Sequence, residues 1–127
     1  MIYADASALV KLAVVEAETE MVRQLVEANE VATTRVALVE VAAAVGRSRP
    51  DVDAGAHALS VIETMVLVDP TPRLLTHAAA LARPPLRALD AIHLASALAV
   101  EAEAMLVYDR RLSEAARSAG LAVLSPA

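Results

Sequence analysis

Apolar residues in this chain fall into short blocks separated by longer segments at helical spacing. The blocks Ile2–Ala4, Glu30–Thr33, Met65–Val68, Met105–Tyr108 and Leu121–Leu124 read as strands. Between them, apolar positions recur at three- and four-residue intervals. That spacing predicts helices over Ser7–Val14, Thr19–Ala28, Val36–Val45, Val52–Thr64, Pro72–Leu81, Leu89–Glu103 and Arg110–Ala119. Pro72 suits a first helical turn, and Gly120 suits the position just beyond a helix end. Strands alternating with helices indicate an α/β three-layer sandwich, a parallel sheet of about five strands flanked by helices. Breaks at Gly46–Pro50, Asp69–Pro72 and Arg83–Pro85 are too short for domain linkers, so residues 1–127 are expected to form a single domain.

Certain acidic residues disturb the apolar pattern. Asp5 ends MIYAD, Glu40 interrupts RVALVEVAAAV, Asp90 interrupts RALDAIHLASALAV, and Asp109 ends AMLVYD. A carboxylate in such a setting is costly unless something pairs with it or a cation binds it. In open parallel sheets, ligands bind beyond the carboxyl ends of the strands. Asp5 and Asp109 stand at strand ends, while Glu40 and Asp90 stand in the first turns of helices. The same sheet edge is therefore within reach of all of them. A shared acidic pocket of this kind suits Mg2+ or Mn2+.

Each acid also has a plainer reading. Asp5, Asp90 and Asp109 are well placed to cap helices and to complement helix dipoles. Glu40 could pair with Arg35 or Arg47. A solvent stripe around it should bring polar residues three or four positions away, yet Val36, Ala37, Ala43 and Ala44 occupy those places. Asp69 also ends a strand, but Pro70 and Pro72 beside it favour a turn role. The Ser7 hydroxyl can support a metal-bound water or cap the first helix. His93, three residues after Asp90, can ligate a metal or make a structural hydrogen bond, and the second reading is preferred. His57 and His77 have no partner in sequence.

Composition narrows the chemistry. The chain has no Cys, which removes disulfides, thiolate metal sites and a Cys nucleophile. Its three glycines are too scattered for a dinucleotide or phosphate loop. No apolar segment is long enough to span a membrane, and the first residues lack a basic signal region, so a cytoplasmic location is expected. Net charge is −5, which argues against a constitutive nucleic-acid coat protein but not against an enzyme that meets nucleic acid through metals. Lys11 is the only lysine, and arginine supplies the other basic side chains. Arg47, Arg49, Arg87, Arg110 and Arg111 are candidates for RNA backbone contacts, or else solvated surface charges. A hydrophobic content of 57% exceeds what one small core can hide, so a partner or oligomer is expected.

The segments MIYADASALVKL, VALVEVAAAVGR, LRALDAIHLASAL and LVYDRRL, in that order, resemble the PIN-domain ribonucleases. More closely, they resemble the VapC-type toxins of bacterial toxin–antitoxin modules. The resemblance runs nearly end to end. It implies a parallel sheet between helices, a Mg2+ or Mn2+ site, cleavage of RNA to 5′-phosphate and 3′-hydroxyl ends, and inhibition by a cognate antitoxin. Asp5, Glu40, Asp90 and Asp109 match the family's acidic positions, and Ser7 matches the hydroxyl residue that often follows the first acid. Asp5 and Asp90 are expected as direct metal ligands, with Glu40 and Asp109 acting through water. One departure stands out. Similar proteins often carry Thr, Ser or Asn two residues before the fourth acid, where this chain has Val107, which removes a polar support for Asp109.

Two rival classes fit the sequence less well. A catalytically silent PIN-fold interaction module would bind a partner without cleavage, and the intact acids argue against it. A phosphoacceptor receiver domain needs an acidic pair after the first strand and a late lysine, whereas here Asp5 stands alone and Lys11 is early. A homodimer that also binds an antitoxin is expected. The faces carrying Met21, Val22, Leu25 and Val26, and Val52, Ala56, Leu59 and Ile62, are the expected exposed surfaces.

Overall fold

The computed structural model describes residues 1–127. Its strands are β1 (Ile2–Ala4), β2 (Val31–Thr34), β3 (Val66–Val68), β4 (Ala104–Leu106) and β5 (Ala122–Leu124). They form one sheet in the order β3-β2-β1-β4-β5, with every neighbouring pair parallel. The helices are α1 (Ala6–Ala13), α2 (Thr19–Ala28), α3 (Ala37–Ser48), α4 (Ala54–Ile62), α5 (Pro72–Leu81), α6 (Ala88–Ala99) and α7 (Arg110–Ser118). The α/β sandwich expected from the spacing is the observed architecture.

Strand alternation divides the core. Ile2, Ala4, Val31, Ala104 and Leu106 face one way, onto Leu9, Val22, Val41, Val45 and Ile62 of α1 to α4. Tyr3, Ala32 and Met105 face the other way, onto Leu94 and Ala97 of α6 and Leu112 and Ala116 of α7. α5 packs outside α6, where Leu74 and Ala78 meet Ala91 and Ala95. A parallel sheet covered on both faces needs largely apolar strands, and these are such strands, with Thr33 and Thr34 buried at the end of β2.

This packing corrects the expected exposed faces. Val22 and Ile62 are fully buried, and Leu25, Val26 and Val52 pack partly against the core. Only Met21 and Leu59 among the large residues of those faces are well exposed. The apolar stripes of α2 and α4 seat those helices on α1 and α3, so they are spent within the fold. The remaining exposed large apolar side chains, including Val15, Val39, Val66, Leu75 and Leu89, are scattered over several elements.

Crossover connections place β1 at the centre, paired with both β2 and β4. The chain moves outward from β1 through β2 to β3, then returns to β4 on the far side of β1. The reversal falls between β1 and β4, and open parallel sheets place their ligands at the carboxyl ends of the strands beside such a point.

Two helix ends explain a boundary difference. After α7, Leu121 N–H bonds to Ala116 O and Gly120 N–H to Arg117 O, with Gly120 at φ 93°. This is the Schellman closure that a glycine after the last turn foretells. α6 closes in the same way, with Ala102 N–H on Ala97 O and Glu101 N–H on Leu98 O. The left-handed residue there is Glu101, at φ 52°. With no glycine to mark the stop, the spacing carried the expected helix to Glu103, whereas α6 ends at Ala99.

A side chain in the left-handed region costs roughly 1–2 kcal/mol, and glycine removes that cost while adding chain entropy to the unfolded state. Glu101→Gly should therefore stabilise the fold by about 1 kcal/mol, a rise of a few degrees in Tm. Thermal or urea unfolding checks it, and a loss of stability would contradict the assigned closure.

Candidate active site

Asp5 follows β1 directly and is 4% exposed. Its backbone N–H bonds to Leu106 O at 3.2 Å, which sets it beside the end of β4. Asp5 caps α1, its Oδ1 accepting from Ala8 N–H at 3.1 Å and from the Ser7 hydroxyl at 2.6 Å. The Ser7 Oγ in turn accepts from Tyr108 N–H at 2.9 Å. Ser7 thus joins the first acid to the segment that leads to Asp109. Burial pushes the Asp5 carboxyl above the ordinary value of 3.8, and the Ser7 and Ala8 hydrogen bonds oppose that rise. No lysine or arginine pairs with it.

Asp109 caps α7, with its Oδ1 accepting from Leu112 N–H at 2.9 Å. Arg111 stands 3.9 Å from its other oxygen. Val107 is fully buried in the core beneath α6 and α7, so its side chain gives Asp109 no polar support. Asp90 lies in the first turn of α6, where its Oδ2 accepts from Arg87 N–H at 3.0 Å. An arginine side chain has no acceptor to return that bond, so this is half of a capping box. α6 leads to the start of β4, so its first turn stands at the opposite, carboxyl edge of the sheet.

Glu40 reaches the same region from the other helical layer. Its side chain is 19% exposed, and its Oε1 lies 2.7 Å from His93 Nε2. The pair spans the sheet edge, joining α3 on one face to α6 on the other. Arg35 pairs instead with Asp69 at 2.5 Å, which gives Asp69 a surface role. His93 makes the structural hydrogen bonds preferred for it and is buried, whereas Asp90, one turn earlier, is partly exposed. His57 bonds to the Ala13 carbonyl.

The acids share an edge without forming a cage. No three carboxylate or imidazole groups gather closely enough to enclose a cation. The cause is visible in their partners: Asp5, Asp90 and Asp109 bond to helix N-termini, and Glu40 bonds to His93. Among the arginines, Arg87, Arg110 and Arg111 stand at the first turns of α6 and α7, near the acids. Arg110 pairs with Glu114 at 3.2 Å. Arg47 and Arg49 end α3, about 10 Å along the helix from Glu40, toward the opposite edge.

Tyr3 is the residue that sequence reading passed over. It is fully buried, and its hydroxyl lies between His93 and Thr34. A tyrosine inside a buried strand needs a polar partner, and that need was the available signal.

Residues 2–118 match the PIN domain family. The chain is 37% identical to Ribonuclease VapC46 of Mycobacterium tuberculosis over 129 residues, covering 98% of this chain and 97% of that protein. It is 36% identical to Ribonuclease VapC35 of the same organism over 134 residues, covering 99% and 97%. Among solved structures, it superposes on M. tuberculosis VapC20, a sarcin–ricin-loop-cleaving toxin, with a TM-score of 0.76 at 20% identity, covering 91% of this chain and 95% of that one. A toxin–antitoxin complex from Klebsiella pneumoniae matches with a TM-score of 0.75 at 17% identity, covering 100% and 98%.

The raised Asp5 value makes a stability prediction. Below pH 3.8 the carboxyl is protonated in both states and carries no penalty. As pH rises from 3.8 toward the elevated folded value, the unfolded state ionises first and the folded state is increasingly disfavoured; above that value the penalty is constant. Asp5→Asn keeps the cap and removes the charge. In chelator at pH 7 it should raise Tm by a few degrees, with the gain vanishing as pH falls below 3.8. Lower stability of the Asp5→Asn protein at pH 7 would show that the carboxylate is needed as a charged cap.

Proposed function

The chain belongs to the PIN domain family, and we propose that it is an endoribonuclease, the toxin of a toxin–antitoxin module, held inactive by a cognate antitoxin. The observation that carries this reading is Asp5: a nearly buried carboxylate without a cationic partner, at the switch point of a parallel sheet. End-to-end similarity to proteins named as ribonucleases supports the reaction class.

The donor chemistry fits Mg2+ or Mn2+. The candidate ligands are all carboxylate oxygens, and Asp5, Asp90 and Glu40 have no lysine or arginine within ion-pair distance. Mg2+ keeps most of its waters and needs only one or two carboxylates directly, so a preformed cage is not required. We assign Asp5 and Asp90 as direct ligands. Glu40 and Asp109 hold and orient water beside them. When bound, the cation supplies acidification of the attacking water and neutralises charge on the phosphate. Ser7 fixes the Asp5 carboxylate and so the direction of its free oxygen. Arg87, Arg110 and Arg111 stand where an RNA backbone would approach the acids, and Arg47 and Arg49 would meet only a longer RNA. The reading includes a cytoplasmic location, and no helix is long and apolar enough to cross a membrane. It also includes a homodimer.

One observation favours a second reading. The helix-capping bonds of Asp5, Asp90 and Asp109 would serve equally well in a catalytically silent interaction module. Activity separates the two. Purified protein should cleave RNA with Mg2+ or Mn2+ and stop in EDTA. Asp5→Asn and Asp90→Asn should each lose about 100-fold or more. Cleavage that persists in EDTA, or in both variants, would contradict the metal mechanism. Light scattering should give a dimer, and co-expression with the neighbouring small gene should capture a partner that suppresses cleavage. A monomer that captures nothing would count against the toxin reading.

A further inference from the structure

A line of hydrogen bonds runs inward from Glu40 to the sheet. Thr34 N–H donates to Tyr3 Oη at 3.1 Å. Tyr3 Oη lies 2.8 Å from His93 Nδ1, and His93 Nε2 lies 2.7 Å from Glu40 Oε1. Tyr3 is fully buried and His93 nearly so, so the protons on this line must be placed within the protein.

The placement follows from donors and acceptors. The Tyr3 oxygen already receives the Thr34 N–H, which can only donate. A tyrosine hydroxyl also carries one proton of its own, which needs an acceptor when it is buried. The nearby Ser96 and Thr33 hydroxyls donate to the Ile92 and Ala4 carbonyls. His93 Nδ1 is the acceptor within hydrogen-bond distance of the Tyr3 hydroxyl. Nδ1 therefore presents a lone pair, and Nε2 carries the hydrogen. That N–H meets a carboxylate, which accepts. The opposite tautomer would set the Nε2 lone pair against a Glu40 carboxylate oxygen 2.7 Å away, two acceptors facing each other.

We infer that His93 is a positioning residue for the acidic edge. Tyr3 and Thr34 lock its ring in the Nε2–H tautomer, and the ring pins Glu40 Oε1 from the far side of the sheet. Glu40 is a long side chain on a partly exposed helical turn, and unpinned it would sample several rotamers. Pinned, it keeps one oxygen committed to His93 and the other available for water. A ring with a fixed donor orients the carboxylate, as outer partners commonly do beside metal sites. The inference rests on the reading of Glu40 as part of the metal site, but the tautomer itself does not depend on catalysis.

The test uses the full chain labelled with 15N-histidine. Long-range 1H–15N spectra of the metal-free protein should show His93 with a protonated Nε2 and an unprotonated Nδ1. Tyr3→Phe removes the hydroxyl donor, and the ring should then lose its single tautomer. In Mn2+ titrations followed by electron paramagnetic resonance, His93→Ala should weaken binding about tenfold. His93→Gln, whose amide N–H can replace the Nε2 donor, should restore most of it. A His93 ring protonated on Nδ1 in the wild-type protein would overturn the inference. Unchanged Mn2+ affinity in a folded His93→Ala protein would overturn it too. Absence of RNA cleavage by the wild type would contradict the function proposed above, whereas the ring spectrum and the Mn2+ titration report on positioning.

Discussion

A carboxylate nearly excluded from water must be protonated, paired or bound to a cation, and Asp5 brings that constraint to the end of the central strand. Its neighbours are arranged around it. Ser7 and Ala8 supply hydrogen bonds, the Asp5 backbone is tied to Leu106, and Ser7 is tied to Tyr108. None of these donors carries a full positive charge, so the cost of burying the carboxylate is only partly offset. A fold selected for stability alone would gain by replacing such a group with an apolar one. Retention of the carboxylate at a switch point, in a chain of the PIN domain family, gives the position a reason beyond packing.

The remaining acids are held by the same economy of bonds. Each occupies a helix N-terminus or a histidine, so the metal-free edge stays ordered without a cation. Capping and ligation do not exclude each other, because a carboxylate has two oxygens and several lone pairs. Asp90 uses Oδ2 toward Arg87 N–H, and Asp109 uses Oδ1 toward Leu112 N–H. Glu40 differs, since its anchor comes from the opposite helical layer. The Glu40–His93 bond joins α3 to α6 over the sheet edge, so the geometry of the edge depends on how the two layers dock.

Much of this was legible in the sequence. The strands are short apolar blocks and the helices have clear spacing, so α2 and α5 begin and end where the pattern places them. Gly120 announced the end of α7 because it supplies the left-handed residue of the closure. The same closure on α6 uses Glu101, which carries no such signal, and the expected helix overran. The apolar stripes of α2 and α4 were visible but their destination was not. Periodicity tells which face is apolar, and only the docking of α2 on α1 and α4 on α3 decides whether that face is buried. At the candidate site, the acids were legible as charges inside apolar runs. Their anchors were not: Tyr3, Thr34 and His93 lie on separate elements, and only strand order brings them together.

The central claim is that Asp5 and Asp90 together hold a divalent cation. Anomalous diffraction from crystals soaked in Mn2+ tests it most directly. The account predicts a strong anomalous peak contacted by the Asp5 and Asp90 carboxylates, with water between it and Glu40. No peak beside Asp5, or Mn2+ bound only elsewhere on the surface, would contradict it.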